Sequence, residues 1–483
     1  MQLMDSMDSG NRPISIAVVG TGYVGLVAAV CFAEMGHAVT CVDNDEQKIR
    51  ALKDGIAPIH EQYLPELLGR HGSNSVRFTT SLHEATATAE AVFIAVGTPQ
   101  ADGSGEADLS YVEAVACEIA RSLVSYCVIV EKSTVPVYTN EWIRRIMERN
   151  GVAPEHFDVA SNPEFLREGT AIADFLHPDR VLVGADSDHA VDLLERIYRP
   201  LTNGEYYRRT GSIPGRCSSH NPPPLVKTSA KSAEIIKHAS NAFLATKISF
   251  INAVANLCEA VDANVEDVAR GMGMDSRIGE KFLRPGIGYG GSCFPKDVAA
   301  FRTVAEQAGV DFGLLGEVEK INASQKRRFV AKVRSALWTL RGKRLGVLGL
   351  AFKGGTDDIR ESPALEIVQI LLQEGCNIAA YDPAGMERAQ RELPPSRQMR
   401  YATDAYDAVD GADALLILTD WAEFGQLDLL RVHGCLRYPI VIDGRNMYSP
   451  AAMLQHGLMY LSIGRPASYP AREISVAASA ARG

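Results

Sequence analysis

Residues 14–19 are a short apolar run, Ile-Ser-Ile-Ala-Val-Val, that passes without a break into Gly20-Thr-Gly22-Tyr23-Val24-Gly25. An alanine-rich apolar stretch over 26–35 follows and is stopped by Gly36. A second apolar run, 38–42, then ends at Asp43. Strand, Gly-x-Gly-x-x-Gly, helix, strand and acid in that order demand a parallel α/β sheet of the dinucleotide-binding kind. Gly20 permits the tight turn, Gly22 lets the backbone approach a pyrophosphate at the helix N-terminus, and Gly25 allows close helix–strand packing. Asp43 stands ~20 residues on, where a carboxylate hydrogen-bonds a ribose diol and repels a 2′-phosphate. NAD is therefore favoured over NADP, with Lys48 nearby weakening the preference. The plain alternative is a glycine turn in another α/β unit.

The strand–helix alternation continues to about residue 210. Residues 91–96 and 127–130 read as strands, ending in Gly97-Thr98-Pro99 and Glu131-Lys-Ser-Thr134-Val-Pro136. Ligands of open parallel sheets bind at the carboxyl ends of strands. Thr98 and Thr134 are thus placed to meet cofactor or a catalytic water, unless they are turn or N-cap residues. Residues 158–160 begin another strand, followed by Ser161-Asn-Pro-Glu164-Phe165-Leu166-Arg-Glu168-Gly169. Glu164 and Glu168 share a face if that turn is helical, as base and orienter or as a solvated pair. Residues 180–184 read as the last strand of this domain, 13–210.

The segment 211–224 is a linker rich in glycine, serine and proline. One long helical pattern, about 230–262, comes next, long enough to connect two domains. Lys237 and Asn241 lie i, i+4 on it near its apolar stripe, so they need polar partners or must snorkel outward. Residues 265–282 read as helical and lead into Gly286-Ile-Gly-Tyr-Gly290-Gly-Ser-Cys293-Phe-Pro-Lys296-Asp297. Four glycines in six positions make a loop whose backbone N–H groups can approach a ligand closely. Those groups and a neighbouring ammonium would lower the Cys293 thiol from ~8.5 and expose a thiolate; the bland alternative is a small buried hydrophobe. Further helices run over 298–333. The helical part of 211–330 is the expected subunit interface of a homodimer. A second α/β domain, 331–466, opens with the strand 344–350 and lacks a full glycine fingerprint, so a second NAD is not expected. Phe352, Lys353 and Arg360 follow the strand among glycines, a fitting diphosphate site, and Arg445 is a third cation at a strand end. Surface ion pairs are the alternative. The tail, 467–483, shows little patterning and reads as disordered. The fold class is α/β: two Rossmann-like doubly wound domains joined by a long central helix and an all-helical middle domain.

Bulk composition excludes several functions. The net charge of −10 argues against general nucleic-acid binding. The apolar runs are strand-length, so no membrane span is expected, and residues 1–12 have no signal-peptide core. Nine scattered cysteines do not make a disulfide framework. With no Cys-x-x-Cys and no His-Glu-x-x-His, no metal is expected. A reducing cytoplasm is the implied setting.

Taken together, these motifs resemble the UDP-glucose 6-dehydrogenase family, within the nucleotide-sugar 6-dehydrogenases, over about residues 13–465. The Ser-Cys-Phe-Pro-Lys-Asp form is more similar to the UDP-glucose branch than to the GDP-mannose or UDP-N-acetyl-hexosamine branches. The resemblance implies oxidation of UDP-glucose by two NAD to UDP-glucuronate, through a Cys293 thiohemiacetal and thioester. It also implies that Lys237 and Asn241 hold the C6 oxygen, that Asp297 and Thr134 position water, and that Glu164 is the hydrolytic base oriented by Glu168. NAD would contact Gly20, Gly22, Tyr23, Val24, Gly25, Asp43, Lys48, Thr98, Thr134, Glu168, Lys296 and Arg360. The nucleotide sugar would contact Glu164, Phe165, Leu166, Lys237, Asn241, Phe282, Gly290, Phe352, Lys353 and Arg445, with Arg277 reaching across a dimer interface. The linker is a departure: Cys217 and His220 match nothing in the family pattern and read as a surface loop, or else a regulatory thiol. A two-electron hydroxyacid dehydrogenase is the rival, and it leaves Cys293 and the Lys353–Arg360 loop without a role. A catalytically silent sensor of NAD or nucleotide sugar is a third possibility, at odds with the full set of reactive groups.

Overall fold

The computed structural model describes residues 12–72, 74–100, 107–215 and 221–470. Cys217 and His220 of the linker, and 471–483 of the tail, lie outside them. The chain divides into two compact units, Met1–Phe243 with Lys296–Gly313, and Leu244–Pro295 with Leu314–Gly483.

In the first unit, the described residues form one eight-stranded sheet. Its strands are β1 (Ser15–Val19), β2 (Ala38–Val42), β3 (Val76–Thr79), β4 (Ala91–Ile94), β5 (Cys127–Glu131), β6 (Phe157–Ser161), β7 (Val181–Ala185) and β8 (Leu225–Thr228). The order is β3-β2-β1-β4-β5-β6-β7-β8, and the topology reverses between β1 and β4. Strands β1, β4 and β5 are apolar nearly throughout because helices cover both faces. The helices Tyr23–Glu34, Ala171–Leu176 and Asp188–Thr202 pack on one face. Leu82–Thr86, Ser110–Ser122 and Thr139–Arg149 pack on the other.

Two details depart from the sequence expectation. Strand β7 runs antiparallel to β6. The sheet also does not end at β7, because β8, beyond the linker, pairs parallel with it. Strand β8 is a short edge strand with Val226 and Lys227 exposed, so it lacks the apolar run that reveals a central strand.

In the second unit, β9 (Arg344–Leu348), β10 (Asn377–Tyr381), β11 (Met399–Tyr401), β12 (Ala414–Ile417), β13 (Ile440–Asp443) and β14 (Met459–Leu461) form an all-parallel sheet in the order β11-β10-β9-β12-β13-β14. This repeats the doubly wound pattern. Ile251, Ala255 and Cys258 join Phe329, Val333 and Val368 in the core on one face. Ser468 of the expected tail pairs with Tyr460 beyond β14.

The long helix is observed over Ala230–Ala260, 31 residues, or roughly 46 Å at ~1.5 Å per residue. Ser229 caps its start, its hydroxyl accepting from the Ser232 N–H. The expected helix over 265–282 is shorter, Val265–Gly273. Asp275 accepts from the Arg277 N–H, and Gly279 and Phe282 take positive φ, which ends helical geometry. No helix of the described residues is long and apolar enough to cross a membrane.

Candidate active site

The candidate residues are divided between the units. Residues up to Asn241, with Lys296 and Asp297, belong to the first; Arg277, Phe282, Gly290, Cys293, Phe352, Lys353, Arg360 and Arg445 belong to the second.

In the first unit the glycine turn has the shape a dinucleotide needs. Gly20 has φ +103°, and a Cβ there would sit 2.5 Å from the Ala95 carbonyl oxygen. A Cβ on Gly25 would lie 1.9 Å from the Gly20 carbonyl oxygen, so only glycine lets the helix Tyr23–Glu34 start this close to the strand. At Gly22 an added Cβ meets nothing within 4 Å, which leaves open space before the helix N-terminus for a pyrophosphate. Val24 packs against the core, and Tyr23 is half-buried. Asp43 ends β2. Its Oδ2 accepts from the Thr21 N–H at 2.9 Å and the Thr21 hydroxyl at 2.6 Å. Burial pushes this carboxyl up, but the Thr21 and Asp45 hydrogen bonds outweigh it and hold it below its ordinary value. Lys48 stands 4.0 Å from it.

At the carboxyl ends of β4 and β5, the Thr98 hydroxyl donates to the Thr134 carbonyl at 2.9 Å, and Lys296 Nζ donates to Thr98 Oγ1 at 3.1 Å. Ser133 donates its N–H to Glu131 at 2.7 Å and its hydroxyl to the Val96 carbonyl at 2.9 Å. Glu131 is fully buried, and burial pushes its carboxyl up to about 8 against the opposing Ser133 bonds. The folded protein therefore keeps a proton that the unfolded chain has lost between its unperturbed 4.5 and about 8. Stability falls as pH rises through that window. Glu131→Gln is neutral in both states. The wild-type urea midpoint is expected to fall more between pH 5 and 8 than that of the variant; parallel midpoints would contradict a protonated Glu131.

Glu164 and Lys237 are both buried and paired at 2.8 Å, and Lys237 also donates to the Glu164 carbonyl at 2.6 Å. Glu164 Oε2 accepts the Leu166 N–H. The segment carrying Glu164 and Glu168 is not helical, so the two carboxylates do not share a helix face. The chain takes no regular structure from Asn162 to Arg167 and turns at Glu168. The Phe165 ring lies under the Arg180 guanidinium at 3.9 Å and within 5.4 Å of Lys237 Nζ. Asn241 Nδ2 donates to Asp297 Oδ2 at 2.6 Å. Lys296 approaches Asp297 Oδ1 at 3.3 Å, an ion pair without hydrogen-bond alignment. The partners that sequence required for Lys237 and Asn241 are thus two buried carboxylates.

In the second unit, Cys293 is half-buried and follows the glycine loop, immediately before the helix Phe294–Gln307. Its Sγ lies 3.6 Å from the Ser292 hydroxyl. The glycines of the loop answer to the protein itself. A Cβ at Gly290 would lie 2.0 Å from the Glu361 carbonyl oxygen, and one at Gly291 would lie 2.7 Å from the Phe352 ring. At Gly288 it would meet Asn322 Oδ1 at 2.7 Å. Close packing against Glu361 and Phe352 after β9, and against Asn322, already demands glycine at these three positions. The Gly291 N–H donates to the Arg360 carbonyl at 3.0 Å.

The three cations of this unit differ. Arg360 forks onto buried Asp358 at 2.7–3.0 Å. Lys353 Nζ lies 5.4 Å over the Phe352 ring. Arg445 donates to the carbonyls of Leu418 at 2.8 Å, Phe352 at 2.9 Å and Gly288 at 3.4 Å, which ties the glycine loop to two strand ends. Burial lowers its pKa against the opposing charge of Asp420. Arg277 is exposed and forks onto Asp275. The Phe282 ring meets that of Phe294 edge-on at 6.3 Å.

Sequence reasoning passed over Glu234 and His238, which flank Lys237 on the long helix and are as deeply buried. Polar residues at i, i+3, i+4 and i+7 on an otherwise apolar helix face were the available signal.

Three family models cover the chain. The UDP-glucose/GDP-mannose dehydrogenase family, NAD binding domain, matches residues 14–202; its central domain matches 231–324, and its UDP binding domain matches 346–450. The chain is 46% identical over 457 residues to a UDP-glucose 6-dehydrogenase of Rhizobium meliloti, covering 94% of this chain and 100% of the relative. It is 45% identical over 453 residues to UDP-glucose 6-dehydrogenase TuaD of Bacillus subtilis, covering 94% and 93%. A solved UDP-glucose dehydrogenase from Pyrobaculum islandicum matches with TM-score 0.84 and 36% identity, over 95% of this chain and 100% of that one.

Proposed function

The chain belongs to the UDP-glucose/GDP-mannose dehydrogenase family, and we propose on that footing that it oxidises UDP-glucose twice at C6 to give UDP-glucuronate. It is an NAD-dependent dehydrogenase. The observation that carries the substrate chemistry is the buried polar set of the first unit, Lys237 paired with Glu164 and Asn241 bonded to Asp297. A buried ammonium and an amide N–H are what an oxygen with developing negative charge requires, and such donors contribute roughly 2.7–4 kcal/mol each.

Bound NAD supplies the hydride acceptor for both oxidations. In the first, the C6 hydroxyl gives its proton to a water held by Asp297, while Lys237 and Asn241 hold the oxygen. The Cys293 thiolate then forms a C–S bond to the aldehyde carbon, and the resulting oxyanion keeps the same two donors. Loss of the second hydride leaves a thioester. Glu164, oriented by Glu168, takes a proton from a water that Thr134 positions, and the water oxygen adds to C6. The C–S bond breaks and the thiolate is recovered. Overall C6 loses two hydrides and gains one oxygen from water. Lys353, Arg360 and Arg445 serve the uridine diphosphate.

Two further readings belong to the same proposal. The protein is a homodimer through its helical centre, supported by exposed Phe250, Leu257, Val261 and Met274 in that part of the second unit. It works in the cytoplasm, as the reduced thiols of the described cysteines favour.

A panel of nucleotide sugars with saturating NAD tests the substrate. UDP-glucose is expected to exceed GDP-mannose and UDP-N-acetylmannosamine by ~10²-fold or more in kcat/KM. A higher kcat/KM for either of the others would overturn the assignment.

A further inference from the structure

On its first-unit half, the helix Ala230–Ala260 carries Glu234, Lys237, His238 and Asn241 at the i, i+3, i+4, i+7 spacing of one helix face, and all four are buried. Lys237 and Asn241 have roles in the proposed chemistry. Glu234 and His238 have none, although burying two ionisable groups is costly unless their bonds are specific.

Their bonds converge on one segment. Glu234 Oε2 accepts the Tyr138 N–H at 2.9 Å, and its Oε1 accepts the Asn140 N–H at 3.0 Å and side-chain amide at 2.9 Å. His238 Nε2 lies 2.8 Å from the Val135 carbonyl oxygen, which can only accept, so Nε2 carries the proton. Phe301 stacks on the His238 ring. Burial holds this imidazole below its ordinary pKa against the opposing charge of Asp297, so it is neutral.

The segment these two residues grip contains Thr134. On its other side, Glu131 holds the Ser133 N–H and Thr98 holds the Thr134 carbonyl. The backbone is thus tied at 133, 134, 135, 138 and 140, and among the described residues none of these bonds uses the Thr134 hydroxyl. Tyr138 has φ +80°, a conformation that a residue with a side chain keeps only where its surroundings over-determine it. Its N–H is the one that Glu234 accepts.

We propose that Glu234 and His238 are positioning residues for Thr134. One helix face then sets the register between the groups that hold the C6 oxygen and the hydroxyl that positions water for thioester hydrolysis. This rests on the four-electron mechanism proposed above. Misplacing a water by ~1 Å costs roughly 10²-fold in rate, so loss of the grip falls on hydrolysis and spares the first hydride transfer.

The test is rapid-quench kinetics on full-length enzyme with UDP-glucose and NAD, following NADH and the intact protein mass. His238→Leu is expected to slow acid formation at least ~10-fold, with KM for UDP-glucose within about twofold and an acylated enzyme accumulating. His238→Gln, whose amide N–H can reach the same carbonyl, is expected to recover most of the rate. Glu234→Gln, which keeps one acceptor oxygen, is expected to slow the same step and serves if the leucine variant does not fold. Equal slowing of both oxidations, or a glutamine variant no better than leucine, overturns the inference. A wild-type enzyme that yields one NADH per UDP-glucose overturns the underlying mechanism instead.

Discussion

Cys293→Ser is expected to abolish steady formation of the acid while both ligands still bind. A serine hydroxyl at this position would be a far poorer nucleophile toward the C6 aldehyde, and the ester it would form is a poorer leaving arrangement than a thioester. Loss of a covalent nucleophile reaches ~10⁶-fold in kcat in other enzymes; here a loss on the order of 10³-fold or more is expected. NAD and UDP-glucose affinities, read by titration calorimetry, are expected to change little, because the glycine turn and the cations lie on other segments. Cys293 is half-buried and the substitution is close to isosteric, so stability is a small term. Acid formation by this variant at the wild-type rate would refute the thioester route.

Lys237→Met is expected to damage both stability and rate. Lys237 and Glu164 are buried and paired at 2.8 Å. Removing the ammonium leaves a buried carboxylate without its cation, which costs ~3–5 kcal/mol. The rate is expected to fall by ~10²–10³ through the lost donor to the C6 oxygen. The double variant Lys237→Met with Glu164→Gln buries no unpaired charge. It is expected to regain most of the lost stability by urea denaturation and none of the activity. If the double variant is as unstable as the single one, the ion pair is not what stabilises this part of the first unit.

How far the sequence foretold this molecule varies with how local each determinant is. The turn at Gly20 to Gly25 was legible because backbone geometry alone dictates it: positive φ at Gly20 and a 1.9 Å clash for any Cβ at Gly25. Lys237 and Asn241 were legible as polar groups on an apolar stripe, and the structure supplied Glu164 and Asp297 as their partners. Glu164 and Glu168 misled, since a four-residue spacing means a shared face only in a helix, and this segment leaves β6 without helical structure. The loop glycines before Cys293 were read as room for a ligand. Their close neighbours are Glu361, Phe352 and Asn322, which stand far away in sequence, so no local pattern could reveal them. Strand β8 escaped notice for the same reason: an exposed edge strand of four residues gains its identity from its pairing with β7. Arg445 was legible as a cation at a strand end, but its bonds to the carbonyls of Leu418, Phe352 and Gly288 were not, because those acceptors lie far away in sequence.

The most direct measurement of the central claim is the number of NADH formed per UDP-glucose consumed by the wild-type enzyme, with a carbonyl trap in the solution. Retention of the aldehyde on Cys293 through a four-electron oxidation predicts two NADH, one UDP-glucuronate and no trapped aldehyde. One NADH per sugar with the aldehyde recovered in the trap would contradict it.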